Sequence, residues 1–254
     1  MYPLSLQAMG LLSLTKVIED AYKAFAGYPR PLQMHASPLR KPKKILATLS
    51  SAPLRELTED QVGYYAGCAL TTVGDVSDYK HFLPRILELA AGTNTWLGLT
   101  PPIIANKLRL GEWRTWPASE QSSLLAVFMA AWRNSSINHP YDVPNAWEWL
   151  QAYASLGENF RPLLGEWLTR LNGNSLLQFA NLVAQLPQLL ALDEDDQIFW
   201  AHVPAEARAE IVPSLVSPRV RAALSKAEGI GEDDLWHLAA AKIAIDDHFE
   251  GTRH

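Results

Sequence analysis

At 254 residues, with 48% hydrophobic and 19% charged residues, the chain can fill one large core or two small ones, and disorder throughout is excluded. The net charge of -5 is uneven: residues 1–60 hold eight Lys/Arg against five Asp/Glu, residues 188–254 six against thirteen. The acidic last quarter argues against a nucleic-acid surface there, since phosphate contacts need clustered cations. The single cysteine, Cys68, excludes an internal disulfide and a two-cysteine metal knot.

Helical periodicity runs through nearly the whole chain. Ser13 or Thr15 is expected to cap a first helix carrying Val17, Ile18, Ala21 and Phe25 inward, closed by Gly27. Pro29, Pro31, Pro38 and Pro42 then impose an irregular connection before a short helix from Lys43 to Ser50. Thr58 and Gln61 form a capping box that opens a helix with Val62, Tyr65, Ala66, Ala69 and Val73 on one stripe, ending at Gly74. Asp75 or Ser77 starts the next, with Tyr79, Phe82, Leu83, Ile86, Leu89 and Ala90 inward and a kink or restart expected at Pro84.

Thr100-Pro101 opens a helix to Leu110, and a tight 111–117 corner leads into a long helix ending near Asn134. Further helices are expected from Asp142/Pro144 to Gly157, then at Arg161–Leu171, Ser175–Leu190, Asp195–His202, Ala205–Leu215, Pro218–Ala227 and Glu232–Phe249. No alternating β-branched run competes, so the expected class is all-α. The working division is a single all-α domain over 1–254, with a sub-division into 1–95 and a helical-hairpin array over 96–254. The repeat of Glu148-Trp149-Leu150 as Glu166-Trp167-Leu168 gives a solenoid-like stack some support.

Chemistry is expected first on the helix after Gly74. Asp78, His81, Arg85 and Glu88 are spaced three, four and three apart and so share a face opposite the apolar stripe, with Asp75 near its start. A carboxylate beside a histidine can orient a general base; alternating charge is equally what a solvated ion ladder looks like. The segment Ala69-Leu70-Thr71-Thr72-Val73-Gly74-Asp75 through Tyr79-Lys80-His81-Phe82-Leu83-Pro84-Arg85 resembles one found in a family of uncharacterised bacterial proteins, as do Tyr28-Pro29-Arg30-Pro31 and Pro53–Thr58. The likeness covers roughly residues 20–91 and implies no activity. Relatives with clustered cysteines after the Tyr-Pro-Arg-Pro element imply a metal site there, but Leu32–Pro38 contains no cysteine, so no metal or cofactor is expected here.

Tryptophan supplies a second constellation. Trp113, Trp116, Trp147 and Trp149 are candidate groove residues, because Trp147 and Trp149 lie about 200° apart on a helix and one should reach a crevice or the surface. Cys68 is expected to be an inert core thiol with no basic residue nearby. The basic run Arg40-Lys41-Pro42-Lys43-Lys44 reads as a solvated loop, and nucleic acid is not the expected partner.

No apolar run approaches the roughly 20 residues that span a bilayer, and Met1–Leu6 lacks the charge and cleavage signals of a leader, so the expected address is the cytoplasm, with no membrane partner. The function expected is protein binding, for example by an immunity-type or adaptor protein facing a basic partner. The alternative is a metal-assisted or acid/base enzyme using Asp75, Asp78, His81 and Arg85.

Overall fold

The computed structural model describes residues 6–92, 97–191, 200–226 and 230–251; among them the protein is all-α, with thirteen α-helices, short 3-10 turns and no strand. Two compact units divide it, residues 1–131 and 132–254, so the division falls inside a helix (Ala118–Ser135) and not near residue 95. The expected helix Asp195–His202 begins outside the described residues, as do Trp96 and the acidic Asp193–Asp196.

In the first unit α1 (Leu6–Ala24) begins well before the expected caps; Ser13 and Thr15 are exposed positions within it, while Leu14, Ile18, Ala21 and Tyr22 form its buried stripe. Proline at the first position starts α2 (Pro42–Leu49), where its missing amide and fixed φ carry no penalty. The capping box forms as expected: the Thr58 amide donates to Gln61 Oε1 at 2.7 Å and opens α3 (Glu59–Cys68).

α3 stops five residues before Val73, and tertiary pairing explains why. Leu70 turns into the left-handed region at φ 62° and donates its amide to the Val73 carbonyl, while Val73 pairs with Ala36 in an isolated antiparallel bridge. The Ser37 amide donates to Thr72 O at 2.9 Å and the Gly74 amide to His35 O at 2.7 Å. The proline-rich segment cannot satisfy its own backbone, so it takes these partners from the end of the helix. Gly74, at φ 70°, then has to be glycine: a Cβ there would lie 3.1 Å from Asp78 Oδ2 and 3.3 Å from the Tyr65 hydroxyl.

α4 (Val76–Gly92) buries Tyr79, Phe82, Leu83, Ile86 and Ala90, with Leu89 only half-buried. It continues through Pro84 without the expected restart. Nine of its side chains are buried, Pro84 among them, and packing on that scale offsets the roughly 3 kcal/mol that an internal proline costs. A 3-10 turn, Leu97–Leu99, sits on the α3 surface at Gly63 and Gly67, so closely that a Cβ on Gly98 would be 2.2 Å from the Gly63 carbonyl oxygen. Then follow α5 (Pro101–Leu110), the Trp113–Thr115 corner and α6 (Ala118–Ser135).

The second unit holds α7 (Ala146–Ser155), α8 (Arg161–Leu168), α9 (Gly173–Val183), α10 (Leu186–Leu190), α11 (Ala205–Leu215), α12 (Pro218–Lys226) and α13 (Leu235–Gly251). The helix expected over Ser175–Leu190 is two, because Pro187 occupies a first-turn position and starts a new one. α9 is the central element, with Leu176, Leu177, Phe179, Ala180, Leu182 and Val183 all buried. α13 closes back onto it and onto α10, so helices distant in sequence share one core, whereas a hairpin stack would pair each helix with its sequence neighbours. Trp167 stands edge-on to both Trp132 (5.9 Å) and Phe179 (5.1 Å), and Trp147 stacks on Trp200.

Candidate functional site

Along α4 each member of the expected face turns to a different partner. Asp75 and Asp78 cap the helix reciprocally: the Asp78 amide donates to Asp75 Oδ1 at 2.9 Å, and the Asp75 amide to Asp78 Oδ2 at 3.2 Å. Burial pushes the Asp78 carboxyl above its usual range, opposed by the Asp75 amide bond and the nearby His35 and His81. His81 Nδ1 lies 2.9 Å from the Tyr28 carbonyl oxygen, a contact that places the proton on Nδ1. Its Nε2 is buried with no hydrogen-bond partner among the described residues.

Arg85 donates through Nε to the Leu57 carbonyl (2.8 Å) and through Nη1 to Glu88 (2.6 Å), and Glu88 accepts the Tyr22 hydroxyl (2.6 Å). Arg55 covers the Tyr22 ring at 3.8 Å and pairs with Glu19. Arg85 and Glu88 thus latch α4 to α1 and to the 54–57 turn. Asp78 and His81 share no hydrogen bond, so the carboxylate that an acid/base pair needs is spent on the helix cap.

Beside this face lies a cluster that sequence reasoning missed. Lys80 is buried on α4, with Nζ 2.7 Å from Glu120 Oε2 and 2.9 Å from the Tyr28 hydroxyl, which itself donates to Glu120 Oε1 at 2.7 Å. The Lys80–Glu120 contact is close but poorly aligned for a hydrogen bond, so it is held as an ion pair. Lys80 Nζ also sits 4.2 Å over the Trp116 ring and 4.8 Å over the Tyr28 ring. A lysine next to His81 reads as solvent-facing until Glu120 is placed against it.

Cys68 is buried, as expected, but basic residues do lie near it. Arg40 and Lys107 favour the thiolate, and burial outweighs them, pushing the thiol up. Lys107 is itself buried, donates to Thr71 Oγ1 at 3.3 Å, and has its pKa lowered by desolvation.

The tryptophan groove does not form. Trp113, Trp116, Trp147 and Trp149 are all buried, including both members of the 147/149 pair. α7 is buried almost all round, so a 200° separation brings neither indole to the surface. Trp116 is fixed by its Nε1 donating to the Gly111 carbonyl at 2.8 Å.

Among the described residues the exposed tryptophan is Trp236, at the start of α13, 52% accessible. Its Nε1 donates to the Tyr141 hydroxyl at 3.0 Å, and its ring stacks on His237 at 3.6 Å. Tyr141 is 59% exposed, and Leu235 is also open to solvent. Beneath them His237 Nδ1 meets the Asn181 side-chain oxygen, and His139 Nε2 lies 3.1 Å from Asp234. Burial lowers the His237 pKa, with Asp234 opposing. Around this platform Asp142, Glu232 and Asp233 are exposed, and no cation pairs with them among the described residues.

Among the described residues no group of three or more His, Cys, Asp or Glu side chains could hold a metal ion, and no helix is long and apolar enough to cross a membrane. No protein-family model matches the chain, and neither a curated protein nor a solved structure is significantly similar to it. Fold and surface define it as an all-α protein of two compact units with an aromatic platform on the second.

Proposed function

We propose that this chain is a protein-binding module that docks a basic partner on the Tyr141–Leu235–Trp236 platform of its second unit. The observation that carries the reading is Trp236 itself. Seven of its eight fellow tryptophans are buried in the fold, whereas this one is held rigid in solvent by Tyr141 and His237. A pre-oriented aromatic surface loses little side-chain entropy on binding and is the usual centre of an interface hot spot.

The partner's character follows from the rim. Asp142, Glu232 and Asp233 would face Lys or Arg side chains, one of which can also lie over the open indole face. The wider acidity of residues 188–254 would speed such an encounter.

The test is co-purification from the native host at low and high salt, with wild type and W236A compared after circular dichroism shows equal helicity. A basic protein recovered stoichiometrically, released by salt and lost with W236A, is the expected result. Recovery unchanged by W236A, or a partner that is a second copy of this chain, would refute the reading.

A further inference from the structure

A groove of about 390 Å³ in the first unit lies between α2 and α3 and belongs to none of the arrangements above. Its α2 side carries Arg40, Lys41 and Lys44, and its α3 side Asp60 and Tyr64, with Leu39 at the edge. Arg40 is already positioned: Nε donates to Thr72 Oγ1 at 3.1 Å, Nη1 to the Tyr64 hydroxyl at 2.8 Å, and the guanidinium lies 5.7 Å from the Tyr64 ring centre. Both partners are neutral hydroxyls, so the charge of Arg40 is oriented without being neutralised. Lys41 and Lys44 are exposed and have no carboxylate partner among the described residues.

The two helices run past each other so that Arg40 meets Tyr64 while Ser51, beyond the end of α2, accepts from Gln61 at 2.7 Å. The groove therefore has a cationic end at Arg40, Lys41 and Tyr64. Asp60 stands one helical turn away along α3, about 6 Å by the rise of an α-helix. A single phosphate suits the cationic end, where the Arg40 N–H groups left over from Thr72 and Tyr64 line the same groove as Lys41 and Lys44. A carboxylate at that spacing accepts sugar hydroxyls, as acidic residues do beside bound ribose.

We infer that this groove binds a sugar phosphate, its phosphate on Arg40, Lys41 and Lys44 and its hydroxyls on Asp60. A nucleic-acid strand is the poorer fit, because Asp60 interrupts the cationic track that a phosphate backbone would follow.

Titration calorimetry of the full chain with ribose 5-phosphate, adenosine 5′-monophosphate, inorganic phosphate and ribose tests the assignment. Saturable binding of the two sugar phosphates is expected, with free ribose silent. K41Q/K44Q, which changes only exposed side chains, should weaken both sugar phosphates and inorganic phosphate at least tenfold. D60N should weaken the sugar phosphates about tenfold and leave inorganic phosphate unchanged. If the adenosine compound binds tenfold tighter than ribose 5-phosphate, the sugar phosphate belongs to a nucleotide; equal affinities assign a free sugar phosphate. The inference is overturned if no sugar phosphate saturates at millimolar concentration, if D60N has no effect on any ligand, or if only DNA or heparin binds.

Discussion

Replacing Glu120 by Gln removes one charge from the Lys80 cluster and almost nothing else, since the amide oxygen can still accept the Tyr28 hydroxyl. Lys80 and Glu120 side chains are 7% and 5% exposed and 2.7 Å apart. At an effective dielectric constant of about 20, their attraction is roughly 6 kcal/mol. Desolvation of the two ions, several kcal/mol each, offsets most of it, so the intact pair adds little net stability. Breaking it is different, because the survivor stays buried and uncompensated at a cost of about 3–5 kcal/mol. The flanking Trp116 and Tyr28 rings, worth about 2 kcal/mol to a desolvated cation, cannot replace a carboxylate. With a urea m-value of about 2 kcal/mol/M, E120Q should lower the unfolding midpoint by roughly 1.5–2.5 M. K80M should do the same. The double variant K80M/E120Q leaves no orphan charge and should recover at least ~2 kcal/mol of the summed loss. Urea unfolding followed by circular dichroism and tryptophan fluorescence measures all three. If the single losses are below ~1 kcal/mol, or simply add in the double variant, the pair is not the coupled buried unit described here.

Three further outcomes are expected. D75A removes an N-cap and should cost about 1 kcal/mol of stability by the same urea titration; an unchanged midpoint would show that the carboxylate does not cap α4. G98A forces a Cβ into the Gly63 carbonyl, 2.2 Å away, and should destabilise by more than ~3 kcal/mol or prevent folding; a midpoint within ~1 kcal/mol of wild type would show that the turn is not seated on α3. Burial raises the Glu148 carboxyl, only partly opposed by its bond from Asn145, so the folded state holds this proton more tightly than the unfolded state. Stability from this group is then lost as pH rises from about 4.5, its ordinary value, through the raised folded value. E148Q should match wild type below that window and exceed it above, and a pH-independent difference in thermal midpoint would contradict the assignment.

What could be read in the sequence was local. The Thr58–Gln61 box, proline at the start of α5, and the apolar stripe of α4 apart from Leu89 depend on residues within a turn or two, and the structure shows them where spacing placed them; Pro42, expected in the irregular connection, is instead the first residue of α2. The end of α3 could not be read, because it is decided by Ala36, more than thirty positions away from its partner Val73. The α4 face was legible as a set of positions but not as chemistry. His81, Arg85 and Glu88 take their partners from Tyr28, Leu57 and Tyr22, at separations of 53, 28 and 66 residues. Lys80 was illegible for the same reason, its counter-ion lying on α6. The Gly63–Gly67 spacing of four was a signal of close packing that could have been used. Among the tryptophans, period alone separates the two faces of a helix but says nothing about helices buried on all sides, such as α7, so a surface indole was expected at Trp147 or Trp149, whereas among the described residues it is Trp236.

The docking claim is tested most directly by site-specific photo-crosslinking. A benzophenone amino acid placed at Leu235, on the platform, and at Leu110, an exposed leucine of the first unit, would be irradiated in the native host. The expected result is one basic protein crosslinked at 235 and not at 110, with the crosslink suppressed by neutralising Glu232 and Asp233. Equal capture at both positions, or none at 235 while the partner still co-purifies, would contradict a Trp236-centred interface.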